Sequence, residues 1–128
     1  MEVGWEAGTT AGDGVGSTAP GRLAEAVVAL RADLGVAFDG DADRLIAVDE
    51  TGNVVDGDRM LAILALDRAA RGLLAGDTVV VTVMTNLGFH LAMQRAGIRV
   101  VTTAVGDRYV LEMMREKNWL LGGENSGH

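Results

Sequence analysis

Apolar residues recur at helical spacing near the start of the chain. Leu23 and Val27 lie on one face of a predicted helix, for which Pro20 suits the first turn and Thr18 the cap. We expect Gly35 to end this helix. The pattern therefore predicts a helix before the first apolar run of the chain.

Short, nearly continuous apolar runs predict strands. The five runs are residues 36–38, 45–48, 78–83, 98–103 and 119–121. Residues 78–83 are mostly β-branched, as in a strand that is buried on both faces. In the second half, helical patterns separate the runs: one from residue 60 to a stop at Gly72, one over 87–95, and one that Asp107 caps. We therefore predict an α/β fold with a mainly parallel sheet, right-handed crossovers and flanking helices.

The same pattern predicts that the chain is divided into three parts: a tail, the end of one domain and a second domain. Residues 1–17 contain the stretch Gly-Thr-Thr-Ala-Gly-Asp-Gly at positions 8–14, which has little to bury, and this predicts a weakly ordered tail. Residues 18–56 read as the end of one domain, and residues 57–128 as a second α/β domain. The boundary is placed near Asp56, in the glycine-flanked segment 55–58.

Composition narrows the class of protein. The 128 residues are about one ordinary domain in size, and 48% are apolar, enough for a core. The net charge of -7 argues against non-specific nucleic acid binding. No cysteine is present, which excludes disulfides. The sequence contains no run of about 18 apolar residues, so we expect no membrane span. Without a leader pattern, we expect a cytoplasmic protein with no membrane or nucleic acid partner.

An acidic loop follows the first apolar run. Asp39, Asp41 and Asp43 alternate with small residues and precede Arg44. Three converging carboxylates repel one another unless a cation lies between them, and oxygen ligands suit Mg²⁺ or Ca²⁺. Arg44 adds a fork of donors that can hold a phosphate or neutralise a carboxylate. A solvated acidic turn is the alternative.

An EF-hand is a second alternative for this loop. The three aspartates match the calcium pattern, and Glu50 stands at its twelfth position. Arg44, however, stands where the pattern needs glycine, and the flanking patterns are those of strands.

The C-terminal segment is rich in glycine and hydrogen-bonding groups. Glu124, Asn125, Ser126 and His128 together donate and accept, as adjacent sugar hydroxyls require. A polar turn with no ligand remains the alternative. Residues 106–108 begin a helix where Arg108 and free N–H groups could bind phosphate, or where Asp107 simply caps the helix.

These loops together resemble the α-D-phosphohexomutases, and in particular their phosphoglucosamine mutase branch. Residues 38–44, Phe-Asp-Gly-Asp-Ala-Asp-Arg, resemble the metal-binding loop, and residues 123–128, Gly-Glu-Asn-Ser-Gly-His, resemble the sugar-binding loop. Three further segments, in the same order, are similar to that branch: residues 16–20, 82–88 and 105–110. The resemblance covers roughly residues 15–128.

The resemblance implies an isomerase that interconverts glucosamine 6-phosphate and glucosamine 1-phosphate through a phosphoserine and a bisphosphorylated sugar. It implies Mg²⁺ at Asp39, Asp41 and Asp43, with Arg44 positioning the phosphoserine. It also implies that the sugar-loop residues bind substrate and that His128 assists binding or proton transfer. The resemblance assigns sugar hydroxyls to Glu124 and Ser126, and with Arg108 and Asn125 these are the residues that we expect to bind substrate.

The chain departs from the family pattern in two ways. The branch usually has glutamine at position 125 and many relatives have lysine at position 104, where this chain has Asn125 and Ala104. The family has four domains, and the serine loop and the phosphate-gripping loop are not found here. We therefore expect the end of the metal-loop domain and a truncated sugar-loop domain, inactive as a mutase without the missing domains.

Two other functions remain open from the sequence. One is a non-catalytic module that binds a cation and a phosphosugar. The other is a phosphatase of the haloacid-dehalogenase type, which also places aspartates after a strand; Asp43 stands where that class usually has threonine or valine.

Overall fold

The computed structural model describes residues 20–128, which divide into two compact units between Asp56 and Gly57. The first unit contains helix α1 and three strands. Their bounds are α1 Gly21–Leu30, β1 Leu34–Phe38, β2 Leu45–Asp49 and β3 Val54–Val55.

The strands of the first unit form an antiparallel sheet in the order β1-β2-β3. The expectation of a mainly parallel sheet is wrong for this unit. Residues 39–44 and 50–53, which link the strands, are much shorter than the dozen or so residues that a parallel crossover needs. The acidic loop is therefore the connection of a hairpin.

Helix α1 ends earlier than the sequence predicts. Arg31, with a left-handed φ of 52°, closes it, and Gly35 lies inside β1. A Cβ on Gly35 would lie 2.4 Å from Val27 Cγ2, so this glycine permits close packing of β1 on α1. Thr18, the predicted cap, lies outside the described residues.

The second unit alternates helices and strands as the sequence predicts. Its elements are α2 Gly57–Ala70, a 3₁₀ turn Ala75–Asp77, β4 Thr78–Thr82, α3 Leu87–Arg95, β5 Arg99–Thr103 and α4 Asp107–Lys117. Strands β4 and β5 pair in parallel, joined by α3 as a crossover. Every residue of β4 is buried, which confirms a strand covered on both faces.

The third predicted strand of this unit, residues 119–121, is wrong. Only an isolated parallel bridge joins Val80 to Gly122. Trp119 N–H still donates to Met114 O at 2.9 Å, so this residue completes the end of α4. A Cβ on Gly122 would lie 2.7 Å from Met114 Sδ, and glycine there lets the chain pass close to α4.

The core of the second unit lies between β4 and the helices. Its central residue Met93 is fully buried. The buried cluster consists of Leu61, Ala65, Leu74, Val79, Val81, Phe89, Met93, Ile98 and Leu121. Within residues 20–128 no helix is both long and apolar enough to cross a membrane.

Candidate functional site

The acidic loop turns tightly between β1 and β2. Asp39 N–H donates to Arg44 O at 3.3 Å, and Ala42 N–H donates to Asp39 O at 3.0 Å. Ala42 has a left-handed φ of 56°, which the small side chain tolerates better than a branched one. The small residues between the aspartates thus permit the turn.

Asp39 and Arg44 form an ion pair across this loop. Arg44 Nε donates to Asp39 Oδ2 at 2.7 Å, and its backbone N–H donates to Oδ1 at 3.4 Å. The Asp39 side chain is 6% exposed and that of Arg44 is 40% exposed. Burial alone raises the pKa of Asp39, but hydrogen bonds donated by Arg44, hydrogen bonding with the Asp43 side chain and the charge of Arg44 together lower it below the usual 3.8.

The side chains of the loop offer the type of ligand atom that Mg²⁺ prefers. Asp39, Asp41 and Asp43 offer only hard oxygen ligands. A carboxylate has about four lone-pair sites, and Arg44 uses two of those on Asp39. Within residues 20–128, however, no three acidic or histidine side chains are already arranged to hold an ion.

The EF-hand alternative is wrong. The acidic loop joins two β-strands, whereas an EF-hand loop joins two helices. Glu50, the proposed twelfth ligand, lies beyond the end of β2 in the next turn.

The glycine-rich C-terminal segment is organised by the buried carboxylate of Glu124, which is 7% exposed. Its Oε1 accepts the backbone N–H of Gly106 at 2.6 Å, and its Oε2 accepts Ser126 Oγ at 3.3 Å. His128 Nδ1 lies 3.3 Å from the same Oε2 and 3.1 Å from Ser126 Oγ. These four groups form one hydrogen-bonded cluster, which we call the Glu124 cluster.

The backbone of this segment closes on itself beneath the cluster. Glu124 N–H donates to His128 O at 3.0 Å, and Gly127 N–H donates to Glu124 O at 3.1 Å. Gly127 has a φ of 102°, which only glycine adopts without strain. The loop is therefore preformed by its own hydrogen bonds.

Arg108 and Asn125 lie outside the Glu124 cluster. The Arg108 guanidinium lies 4.6 Å from the centre of the Tyr109 ring and donates to Tyr109 Oη at 2.8 Å. Gly106, not Asp107, is the cap residue of α4, and Asp107 Oδ1 accepts the N–H of Arg108. Asn125 is exposed and uses its backbone oxygen to accept Gly57 N–H.

Gly57 and Asp58 contact the loops at residues 124–125 and 85–86, which the sequence did not predict. The sequence predicts only a domain boundary at residues 55–58, although Asp58 is 2% exposed and accepts Asn86 N–H at 2.9 Å. An aspartate next to a glycine at a helix start was the available signal. The backbone N–H of Gly106 was missed too, because backbone donors leave no trace in residue type.

Comparison with known proteins identifies the family of the second unit. Residues 56–128 match the family described as phosphoglucomutase/phosphomannomutase, alpha/beta/alpha domain III. Two proteins named phosphoglucosamine mutase, from Frankia casuarinae and Leifsonia xyli subsp. xyli, are 64% and 61% identical over 94% of this chain. The chain spans 27% of the length of each.

Solved structures show the same fold. A phosphoglucomutase/phosphomannomutase family protein from Burkholderia thailandensis is 29% identical, with a TM-score of 0.75 over 88% of this chain and 25% of its own. An N-acetylglucosamine-phosphate mutase of the alpha-D-phosphohexomutase superfamily is 23% identical, with a TM-score of 0.59 over 74% of this chain and 23% of its own. The chain therefore belongs to the phosphoglucomutase/phosphomannomutase family, the α-D-phosphohexomutases, and its sequence groups with the phosphoglucosamine mutase branch.

Proposed function

We propose that this chain supplies the metal-binding loop and the sugar-binding loop of an enzyme that interconverts glucosamine 6-phosphate and glucosamine 1-phosphate. The observation that carries the proposal is the Glu124 cluster. A buried carboxylate holds the hydroxyl of Ser126 and the ring of His128 in fixed positions beside the N-terminus of α4. Such preorganised donors and acceptors suit the adjacent hydroxyls of a sugar.

The proposed roles follow the chemistry of each side chain. Ser126 and Asn125 are exposed and present a hydroxyl and an amide to the sugar, while Glu124 orients Ser126. His128 can hold a proton at Nδ1, which faces Ser126 and Glu124. We assign Arg108 to the substrate's phosphate, which requires its guanidinium to leave the Tyr109 ring.

In the first unit we propose that Asp39, Asp41 and Asp43 hold Mg²⁺. A cation held by these carboxylates would supply positive charge to neutralise the phosphoryl group that is transferred. Asp39 fixes Arg44 through Nε, so the other guanidinium donors remain for the phosphate of a phosphoserine. That serine, the bisphosphorylated sugar and a cytoplasmic location belong to the proposal for the longer enzyme.

Sugar binding is tested by following amide chemical shifts of the 128-residue chain during titration with glucosamine 6-phosphate. We expect shifts at residues 123–128, with inorganic phosphate alone causing smaller ones. Ser126→Ala removes one hydroxyl and should weaken binding roughly three- to tenfold. Thr102→Ala, which removes an exposed hydroxyl on β5, is the matched control. No shift at residues 123–128 would refute the sugar-loop assignment.

Activity separates the mutase from the other functions. We expect the 128-residue chain alone not to convert glucosamine 6-phosphate, and measurable conversion would overturn that expectation. The comparisons lend no support to a phosphatase. Release of phosphate from an aryl phosphate that is abolished by Asp39→Asn would nevertheless favour the phosphatase. A non-catalytic module would be favoured if a longer protein that contains this chain binds the cation and the phosphosugar but does not convert the phosphosugar.

A further inference from the structure

Asp58 is a buried carboxylate outside the Glu124 cluster. It stands at the start of α2, is 2% exposed, and accepts the backbone N–H of Asn86 at 2.9 Å through Oδ2. Asn86 in turn caps α3, because its Oδ1 accepts Phe89 N–H at 2.8 Å. Asp58 thus fixes the loop after β4 and the beginning of α3.

Gly57, immediately before it, touches a different loop. Its N–H donates to Asn125 O at 3.1 Å, and a Cβ on Gly57 would lie 2.1 Å from Glu124 O and 2.7 Å from Asn125 O. These are backbone atoms, which cannot swing aside as the end of a side chain can. Only glycine therefore allows α2 to start against the sugar-binding loop.

The burial of Asp58 is not explained by stability alone. Its Oδ1 and the Oγ1 of buried Thr85 have no hydrogen-bond partner among the described residues. A buried polar atom without a partner costs stability, so such positions call for another reason. The N-termini of α2 and α3 favour a negative charge there, since their free N–H groups carry partial positive charge.

We propose that Gly57 and Asp58 are positioning residues that hold the loop after β4 and the sugar-binding loop in register as one ligand-binding edge. Two consecutive residues reach two loops that are far apart in sequence, one at residues 85–86 and one at 124–125. The identity of the ligand as a phosphosugar rests on the proposed function. The positioning itself is a property of the second unit and can be measured without ligand.

The experiment uses the 128-residue chain and two readouts, amide hydrogen exchange and the Kd for glucosamine 6-phosphate. Asp58→Ala removes the acceptor of Asn86 N–H, whereas Asp58→Asn keeps an oxygen in its place. The exchange of Asn86 is compared with that of Val80, a residue of β4 whose N–H donates to Leu121 O at 3.0 Å. Asp67→Ala, an exposed aspartate on the same helix, is the control.

In Asp58→Ala we expect exchange at Asn86 to accelerate about tenfold relative to Val80, and the Kd to rise about tenfold. Asp58→Asn should stay within roughly threefold of the unmodified chain in both readouts, and Asp67→Ala should change neither. Equal acceleration at Asn86 and Val80 would make Asp58 a general stabiliser. That result, or an unchanged Kd, would overturn the proposal.

If Asp58→Ala does not fold, the proposal is tested with Gly57→Ala. This variant should raise the Kd about tenfold and leave the exchange ratio of Asn86 to Val80 unchanged, and an unchanged Kd overturns the proposal.

If the unmodified chain does not bind glucosamine 6-phosphate, the proposed function has failed. The exchange ratios alone then support or overturn the positioning role.

Discussion

Single side chains shape the turns that carry the polar residues of this chain. Asp49 Oδ1 accepts Thr51 N–H at 2.9 Å, Thr51 Oγ1 at 2.7 Å and Asn53 N–H at 3.0 Å. The hydrogen bond from the Thr51 hydroxyl lowers the pKa of Asp49 most. Hydrogen bonds from Asn53 and from the Thr51 backbone lower it further, and burial opposes them. The Asp49 carboxylate therefore organises the turn that follows β2.

The lowered pKa of Asp49 makes the first unit sensitive to acid. Because the pKa in the folded chain lies below its ordinary 3.8, the stabilisation is complete above pH 3.8. It is lost as the pH falls through the folded value. Thr51→Val removes the hydroxyl donor and should bring the pKa of Asp49 back toward 3.8, while Thr51→Ser should leave it low. A carboxyl titration by NMR measures this, and equal pKa values in the two variants would contradict it.

At the scale of elements, close contacts decided which glycines end helices and which lie within strands. The sequence marked Gly35 as a helix stop, since glycine favours that position. Its actual role depends on Leu23 and Val27, which face it from α1. The helical spacing of those two residues was predicted correctly, but spacing does not say which strand lies against them.

The close packing of α1 on β1 predicts that a methyl group added at Gly35 destabilises the first unit. In Gly35→Ala the new Cβ would lie 2.4 Å from Val27 Cγ2 and 2.9 Å from Leu23 Cδ1. We expect a loss of about 1–3 kcal/mol in the free energy of unfolding, as for other overpacked sites. Gly21→Ala, at a helical position with open space, should be neutral or stabilising by up to roughly 1 kcal/mol. Denaturant unfolding followed at residues of the first unit compares them, and equal stabilities would refute the packing argument.

At the scale of the whole molecule, apolar surface remains uncovered. Helix α2 exposes large apolar side chains on one face, with Ile63 60% and Leu66 41% exposed. The chain also spans only 27% of its curated relatives. Exposed apolar area of this kind drives association in water.

We therefore expect the purified chain to associate with increasing concentration. The double variant Ile63→Lys with Leu66→Gln should shift this association to at least several-fold higher concentration, because it replaces apolar area with polar groups. Glu116→Gln changes the net charge by the same amount without removing apolar area and should have little effect. Sedimentation at several concentrations measures it, and a monomeric unmodified chain would contradict the expectation.

The sequence alone determined what depends on near neighbours in the chain. The helices and strands of residues 57–128 follow from periodicity, because burying one face of a helix or both faces of a strand requires it. The order of the acidic and glycine-rich loops identified the family, which residues 56–128 confirm. The roles of the loop residues stay predictions.

Only the tertiary structure decided which distant groups meet. The hydrogen bonds from Gly106 N–H to Glu124 and from Asn86 N–H to Asp58 join segments that lie 18 and 28 residues apart in the chain. Both use backbone N–H groups, which every residue except proline carries and which no sequence pattern marks. A hydrogen bond also needs its atoms placed within a few tenths of an ångström, and that placement is set by the packing of whole elements rather than by the residues themselves.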